Sequence, residues 1–214
     1  MEIYLGGGKN PSELYDAFAK ILDPTEPLLC IPVAMNKEYY SESFNYISRE
    51  FNQRGLEKLT MWVEADLEKA TGKDFSKFSG IYVSGGNTFK LFRNFLGVGI
   101  IPILDELLKA GMPYCGNSAG ALIPCRSIVA AIASDEEEFD PSEIKTLDLV
   151  DGWDIFPHYQ EGKDERIEAY IKKFSLKRVL GVPENSGLRY DGDSFIPFGK
   201  DACYSFEEGS KKRI

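Results

Sequence analysis

Ser118 stands between two glycines in the segment Gly116–Gly120, which reads GNSAG. This G-x-S-x-G spacing is typical of a strained strand-to-helix turn that exposes a nucleophilic serine, because small residues let the strand and helix crowd the turn. The residue after such a serine can donate its backbone N–H to an oxyanion, which makes Ala119 the first candidate donor. A tight turn without chemistry would need the same small residues, so other groups must decide between the two interpretations.

A serine hydroxyl is a poor nucleophile until a base removes its proton. The chain contains one histidine, His158, in the segment DIFPHYQ. The apolar run before it predicts a strand that ends near this histidine, at the edge of a sheet. His158 is therefore the candidate base, with an isolated surface or packed histidine as the alternative.

A catalytic histidine also needs a carboxylate that holds the imidazole in the correct tautomer. Glu184 follows the strand-like run RVLGVP directly, and Pro183 restricts the backbone there. Asp154, Asp164 and Glu165 lie nearer to His158 in the chain and stay open as alternatives, the last two on a predicted exposed helix. A Ser, His, Glu order differs from the Ser, acid, His order of the α/β-hydrolases.

Two glycine turns follow predicted strands. The turn SGGN, with Gly86 and Asn87, lies between a strand and a helix, where α/β sheets bind ligands and a backbone N–H can approach an oxygen closely. The turn Gly6–Gly8 lacks a dinucleotide fingerprint, because Pro11 stands at the position of the last glycine, and the chain has no G-K-[ST]. We interpret this second turn as structural.

Short apolar runs alternate with amphipathic segments as far as residue 126. EIYL, PLLCIPVA, KLTMWV and GIYV predict strands, while PSELYDAFAKIL (with Ser12 as N-cap) and SESFNYISREFNQRG (closed by Gly55) predict helices. This alternation predicts an α/β fold with three layers and a mostly parallel sheet. The segment SGLRYDGDSFIPFG predicts a hairpin around Asp191–Gly192, and so an antiparallel C-terminal edge. We expect one domain over residues 1–214.

Composition excludes several classes of function. The net charge of −9 and pI of about 4.8 argue against a nucleic-acid or membrane partner. We expect the basic cluster Lys211–Arg213 to be a frayed tail and the acidic segment SDEEEFD to be a solvated loop. Four cysteines without CxxC spacing, one histidine and no apolar run or signal-peptide pattern predict a cytoplasmic protein with buried thiols, no metal site and no cofactor.

Four ordered segments carry a resemblance to a known family. VSGGNTFKLF, YCGNSAGALIPC, IFPHYQ followed by DERIEAYI, and VLGVPENSGLRY resemble blocks of the dipeptidase E (alpha-aspartyl dipeptidase) family, which includes cyanophycinases. The resemblance covers roughly residues 78 to 192. It implies a serine peptidase with a flavodoxin-like sheet, related to class I glutamine amidotransferases.

The resemblance also implies a role for individual residues. By position in these blocks, they are the nucleophile Ser118, the base His158, the acid Glu184, the oxyanion-hole donors Gly86 and Ala119, and the substrate-side residue Asn87.

One departure from the family concerns specificity. Aspartyl dipeptidases bind the substrate's aspartate through an arginine, and the nearest match here is Lys163, since Arg166 falls on a different family position. Lysine supplies a point charge without the bidentate fork of arginine. We therefore expect an exopeptidase or dipeptidase that cleaves short peptides with neutral first residues, as a monomer or homodimer. The alternatives are a cyanophycinase-like hydrolase with a longer groove and a catalytically silent module that binds a peptide or small molecule.

Overall fold

The computed structural model describes residues 1–9, 11–133, 146–207 and 209–214. In chain order, the strands of this part are β1 (Ile3–Gly6), β2 (Leu28–Ile31), β3 (Leu59–Met61), β4 (Gly80–Val83), β5 (Tyr114–Asn117), β6 (Asp154–Tyr159), β7 (Arg178–Pro183), β8 (Ser186–Tyr190), β9 (Phe195–Gly199), β10 (Tyr204–Glu207) and β11 (Ser210–Arg213). The helices are α1 (Ser12–Ala19), α2 (Tyr40–Asn52), α3 (Glu64–Leu67), α4 (Gly72–Phe75), α5 (Thr88–Gly97), α6 (Ile101–Lys109) and α7 (Asp164–Phe174). Short 3₁₀ helices span Lys37–Tyr39, Ser118–Leu122 and Val129–Ala133.

The main sheet of the described residues has seven strands in the order β3-β2-β4-β5-β1-β8-β9. Strands β1 to β5 pair in parallel, whereas β8 and β9 pair antiparallel at one edge. Three of the parallel strands, β1, β2 and β4, are buried along their whole length, and β5 is buried except at Asn117, as expected for strands covered on both faces. The predicted α/β fold, with a mostly parallel sheet and an antiparallel C-terminal edge, is confirmed.

Successive residues of the parallel strands enter two separate cores. Ile81 and Val83 of β4 belong to one cluster together with α5 and α6, whereas Tyr82 between them belongs to another, with α1 and α2. Side chains of a strand alternate between its faces, so helices cover the main sheet on both sides. The result is a three-layer arrangement in which the carboxyl ends of β1, β4 and β5 meet at one edge.

A second sheet has the order β11-β10-β7-β6, with β6 and β7 parallel. The expectation of a frayed basic tail is wrong, because Ser210–Arg213 forms β11 and pairs with β10. Lys211 accounts for part of this order: its ammonium donates to the Asp164 carboxylate at 2.9 and 3.0 Å and lies 4.1 Å from the centroid of the Tyr204 ring. The Lys211 charge is thus paired with a carboxylate and lies against an aromatic ring.

Of two local predictions on turn and capping residues, one is confirmed and one is wrong. Asp191 accepts hydrogen bonds from the backbone N–H groups of Asp193 and Ser194, and Gly192 has φ +106, so the predicted hairpin turn is confirmed. Ser12 is not the N-cap of α1: Pro11 takes that position, and the Ser12 hydroxyl accepts a hydrogen bond from Arg54 at 2.7 Å.

The segment SDEEEFD lies outside the described residues. No helix in the described ranges is long and apolar enough to cross a membrane.

Asp154, at the start of β6, is a buried carboxylate that is only partly paired. Asp154 is 2% exposed, and one of its carboxylate oxygens accepts a hydrogen bond from Ser127 Oγ at 2.7 Å. The other oxygen has no partner among the described residues. Burial raises the pKa of Asp154 to about 6, against an ordinary value of 3.8, and the hydrogen bond from Ser127 opposes this only in part.

We expect Asp154 to make the fold less stable as the pH rises from about 4 to about 6. In this window the unfolded chain loses the Asp154 proton first, so the free energy of unfolding falls by about 3 kcal/mol. Asp154→Asn, which keeps an acceptor for Ser127, should lack this component. Urea unfolding of the wild type and of Asp154→Asn at pH 4 and pH 7 gives the two free energies of unfolding. If their difference is the same at both pH values, the prediction is wrong.

Candidate active site

Ser118 lies in a turn that only small neighbours permit. Its backbone has φ +48, in the left-handed region that side-chain-bearing residues rarely adopt. A Cβ on Gly116 would lie 2.3 Å from the carbonyl oxygen of Gly120, and a Cβ on Gly120 would lie 2.4 Å from that of Val83. The glycines on both sides of Ser118 therefore allow the turn, and the helix after it is a short 3₁₀ helix, Ser118–Leu122.

His158 comes from the second sheet and reaches the serine. It lies in β6 with φ +54, and its backbone N–H donates to the carbonyl oxygen of Gly7 at 2.9 Å. Its Nε2 is 2.8 Å from Ser118 Oγ. The two residues that the sequence suggested as nucleophile and base are thus within hydrogen-bond distance of each other.

Glu184 lies on the other side of the imidazole. It follows β7 directly, and its Oε2 is hydrogen-bonded to His158 Nδ1. Because an ionised carboxylate can only accept, this geometry suits the tautomer in which Nδ1–H donates to Glu184 and the Nε2 lone pair faces the Ser118 hydroxyl. Both side chains are about four-tenths exposed (41% and 44%), so this hydrogen-bonded chain of three side chains opens to solvent.

The alternative acids lie elsewhere. Asp154 accepts from Ser127, and Asp164 accepts from the Tyr159 hydroxyl at 2.5 Å and from Lys211. Glu165 is exposed on α7. Of the four carboxylates that the sequence left open, Glu184 is the one that contacts His158.

The turn between β4 and α5 lies beside Ser118. A Cβ on Gly85 would be 3.3 Å from the Cβ of Ser118, and a Cβ on Gly86, which has φ +141, would be 2.5 Å from the carbonyl oxygen of Ala34. Asn87 caps α5: its side-chain oxygen accepts from the Lys90 N–H at 2.8 Å, and its own N–H donates to Ala34 at 3.0 Å. The Asn87 side-chain oxygen is thus engaged at the start of α5, and the backbone at Gly85 lies beside the serine.

Lys163 and Arg189 are two cations that could meet an acidic substrate, and they differ in their surroundings. Lys163 is exposed at the N-cap of α7, five residues after His158 in the chain. Arg189 donates to both carboxylate oxygens of Glu2, at 2.8 and 2.7 Å, on the opposite face of β8 from its apolar neighbours. This ion pair engages the Arg189 guanidinium away from the serine.

Sequence reasoning missed the role of the Gly6–Gly8 turn. A Cβ on Gly8 would lie 2.4 Å from Glu184 Oε2, and a Cβ on Gly7 would lie 2.0 Å from the backbone oxygen of Pro183. The Gly7 carbonyl also accepts the His158 N–H, and the Lys9 N–H donates to the Glu184 carbonyl at 2.7 Å. This turn supports both the imidazole and the carboxylate, and the available signal was three glycines at the end of a buried strand.

Comparisons with known proteins give the family that this chain is similar to. The family model for peptidase family S51 matches residues 3–197. A Drosophila melanogaster protein named as a probable alpha-aspartyl dipeptidase is 32% identical over 160 residues, which cover 70% of this chain and 61% of that protein. Peptidase E of Streptomyces coelicolor is 29% identical over 143 residues, which cover 62% of this chain and 57% of that protein. The chain thus matches about six-tenths of the length of these relatives.

A solved structure has the same fold. A Listeria monocytogenes protein assigned to peptidase E superposes with a TM-score of 0.72 at 21% identity, over 94% of this chain and 98% of that protein. At this level of identity the likeness concerns the fold.

We expect Gly8→Ala to displace the Glu184 carboxylate while leaving the fold largely intact, because the atom it meets is the end of a flexible side chain. The rate at which a fluorophosphonate labels Ser118 should fall at least about tenfold, since the imidazole loses its orienting acceptor. Glu184→Gln should lower the labelling rate for the same reason. The thermal midpoint should change by no more than about 4 °C.

Gly7→Ala is the matched comparison, because its Cβ meets backbone that cannot move aside. It should destabilise the protein by about 1–3 kcal/mol or more. Wild-type labelling of a folded Gly8→Ala variant would contradict the positioning role of Gly8.

Proposed function

The chain belongs to peptidase family S51, and we propose that it is a serine peptidase that hydrolyses dipeptides and other short peptides. The observation that carries the proposal is the hydrogen-bonded series from Ser118 Oγ through His158 to Glu184, with 2.8 Å between Ser118 and His158 Nε2. The names of the relatives, peptidase E and alpha-aspartyl dipeptidase, support short peptides as the substrate class.

In the proposed mechanism, Ser118 Oγ attacks the peptide carbonyl as His158 Nε2 removes its proton. Glu184 accepts from Nδ1–H and stabilises the imidazolium that forms. His158 then protonates the leaving amine, and the resulting acyl-enzyme is hydrolysed by water through the same base. The backbone N–H groups of Gly86 and Ala119 are the proposed oxyanion donors, each worth about 10²–10³ in kcat.

We propose that the first residue of the substrate need not be aspartate. Lys163 replaces the arginine expected from the family resemblance, and Arg189 is held by Glu2. A buried substrate carboxylate without a matched cation costs several kcal/mol, and the net charge of −9 further disfavours an acidic ligand. Asn87 would contact the substrate through its side-chain Nδ2, because its backbone N–H and carbonyl form hydrogen bonds with Ala34 and Leu91.

We also propose that residues 1–214 act as one catalytic domain in the cytoplasm. One hydrophobic cluster contains residues of both sheets, such as Leu5 of β1 and Phe206 of β10. All four cysteines are buried free thiols, which suits a reducing compartment.

The shared role of Ser118 and His158 can be tested with a double-mutant cycle. Ser118→Ala and His158→Ala should each lower kcat/KM for Ala-Leu at least about 10³-fold, and the double variant should lose little more, because the two groups act in one step. Asp164→Asn is the control, since it removes a carboxylate that is close to His158 in the sequence but contacts Tyr159 and Lys211.

Losses that multiply in the double variant would contradict a shared mechanism. Failure of a fluorophosphonate to label Ser118, together with no hydrolysis of any dipeptide, would favour a silent binding module.

Specificity is tested by kcat/KM for Asp-Leu and Ala-Leu under identical conditions. We expect Asp-Leu to be no more than about tenfold better, a difference of about 1.4 kcal/mol in transition-state binding. Lys163→Ala should lower only the value for Asp-Leu. A preference of several hundredfold for Asp-Leu would show that another cation binds the aspartate.

A further inference from the structure

The segment between β6 and α7, residues 160–163, follows the catalytic candidate His158 closely in the chain. It begins two residues after His158 and ends with Lys163, whose ammonium forms no ion pair with another described residue. All four residues are exposed, so no packing against the core fixes their conformation. We call this segment the β6–α7 loop. The position of Lys163 depends on the hydrogen bonds that hold the loop.

The base of the β6–α7 loop is closed by one hydrogen bond. The hydroxyl of Tyr159, the last residue of β6, donates to Asp164, the first residue of α7, at 2.5 Å. The Tyr159 ring is buried and packs on β7, where a Cβ on Gly181 would lie 3.0 Å from it. A glycine at position 181 therefore gives the ring room, and the two ends of the loop are joined on the second sheet.

The hairpin formed by β10 and β11 holds the β6–α7 loop at two further points. The hydroxyl of Tyr204 in β10 donates to Glu161, inside the loop, at 2.5 Å. Lys211 of β11 donates to both carboxylate oxygens of Asp164, at 2.9 and 3.0 Å. The Lys211 ammonium also lies 4.1 Å from the centroid of the Tyr204 ring, a distance at which a cation and an aromatic ring attract each other. The two contacts therefore support each other.

Asp164 is charged where these contacts meet. The hydrogen bonds from Lys211 and Tyr159 lower the pKa of Asp164 below its ordinary value. The carboxylate is therefore ionised at neutral pH and can accept from both donors.

These contacts contribute more to the position of the loop than to the stability of the second sheet. The side chains of Lys211 and Asp164 are 28% and 32% exposed, and an ion pair in contact with water stabilises a fold only slightly. Strand β10 is held to β7 by backbone pairing, which needs neither the Lys211 ammonium nor the Tyr204 hydroxyl. Loss of either group should therefore free the loop and leave the sheet folded.

We propose that Tyr204 and Lys211 are positioning residues for substrate binding. They hold the β6–α7 loop so that the Lys163 ammonium meets the side-chain carboxylate of a substrate whose first residue is acidic. They act through Lys163 and leave the reaction at Ser118 unchanged. This inference rests on the proposed peptidase function and gives the C-terminal hairpin a role in it.

The test compares KM and kcat for Asp-Leu and Ala-Leu in the wild type, Tyr204→Phe and Lys211→Met. Tyr204→Phe removes only the hydroxyl, and Lys211→Met removes the charge but keeps a stem of similar length. Each variant should raise KM for Asp-Leu about threefold to tenfold and leave kcat within about twofold, because a loosely held Lys163 must be ordered when the substrate binds. Ala-Leu offers Lys163 no side-chain carboxylate, so its constants should not change.

Lys212→Met is the matched control. It removes the same charge from the next position of β11, where the exposed Lys212 side chain lies on the opposite face from Lys211. Its KM for Asp-Leu should equal that of the wild type, which excludes a change in the overall field as the cause. Lys211→Arg keeps donors for Asp164 and a cation for the Tyr204 ring, so it should restore KM to within about twofold.

The Lys163→Ala background shows whether the hairpin acts through Lys163. In this background Tyr204→Phe and Lys211→Met should raise KM for Asp-Leu no further, because no cation remains to be positioned. An equal rise in both backgrounds would overturn the proposal, as would an unchanged KM for Asp-Leu in Tyr204→Phe or a rise that Ala-Leu shares. Tyr204→Phe decides the matter if Lys211→Met loosens β11.

Binding to the Ser118→Ala variant separates this inference from the peptidase proposal. Calorimetry should show that adding Tyr204→Phe weakens the binding of Asp-Leu about threefold to tenfold and leaves that of Ala-Leu unchanged. Equal Asp-Leu binding with and without the Tyr204 hydroxyl would overturn the role of the hairpin, whether or not the wild type is a peptidase. Absence of hydrolysis and of Ser118 labelling in the wild type would instead refute the peptidase proposal alone.

Discussion

The geometry of the candidate site depends on the contact between the Gly6–Gly8 turn and the chain segment around His158 and Glu184. Ser118 belongs to the main sheet, whereas His158 belongs to the second, and the backbone hydrogen bond from His158 N–H to the Gly7 carbonyl links the two at 2.9 Å. A side chain on Gly7 would collide with Pro183, and a side chain on Gly8 would collide with Glu184. The close backbone approach at this turn therefore sets where the imidazole and its carboxylate lie relative to the serine.

Strain accompanies this close approach. Ser118 and His158 both have positive φ, at +48 and +54, and each such residue costs about 1–3 kcal/mol unless its surroundings hold it there. The surroundings are buried: Ala119 is 1% exposed, and the Tyr114 hydroxyl donates to the Gly120 carbonyl at 2.6 Å. The packed ends of β4 and β5 stabilise a conformation that exposes the Ser118 hydroxyl, so core packing and reactivity are coupled at this edge.

Features encoded by local pattern could be predicted from the sequence. The parallel strands follow from short buried apolar runs, the turn at Ser118 from its glycines, and the contact between His158 and Ser118 from the chain having one histidine. Features that depend on distant contacts marked by no motif or rare residue type could not. The strand β11 reads SKKR and has no apolar face, so its pairing with β10 follows from tertiary contacts such as that of Lys211 with Asp164. The helices α3 and α4, of four residues each, are too short for a periodic signal.

Two kinds of surface lie at the edge of the main sheet that carries Ser118. Ser118, His158 and Glu184 lie on β-strand ends, where the backbone is held by neighbouring strands and glycine turns. The space between α2 and the turn that joins β4 to α5 is instead lined in part by exposed side chains of α2, such as Glu42 and Tyr46. A substitution of such a side chain changes this lining without moving a strand end. The surface beside the turn can therefore vary within this fold while the hydrogen-bonded series of three side chains is retained.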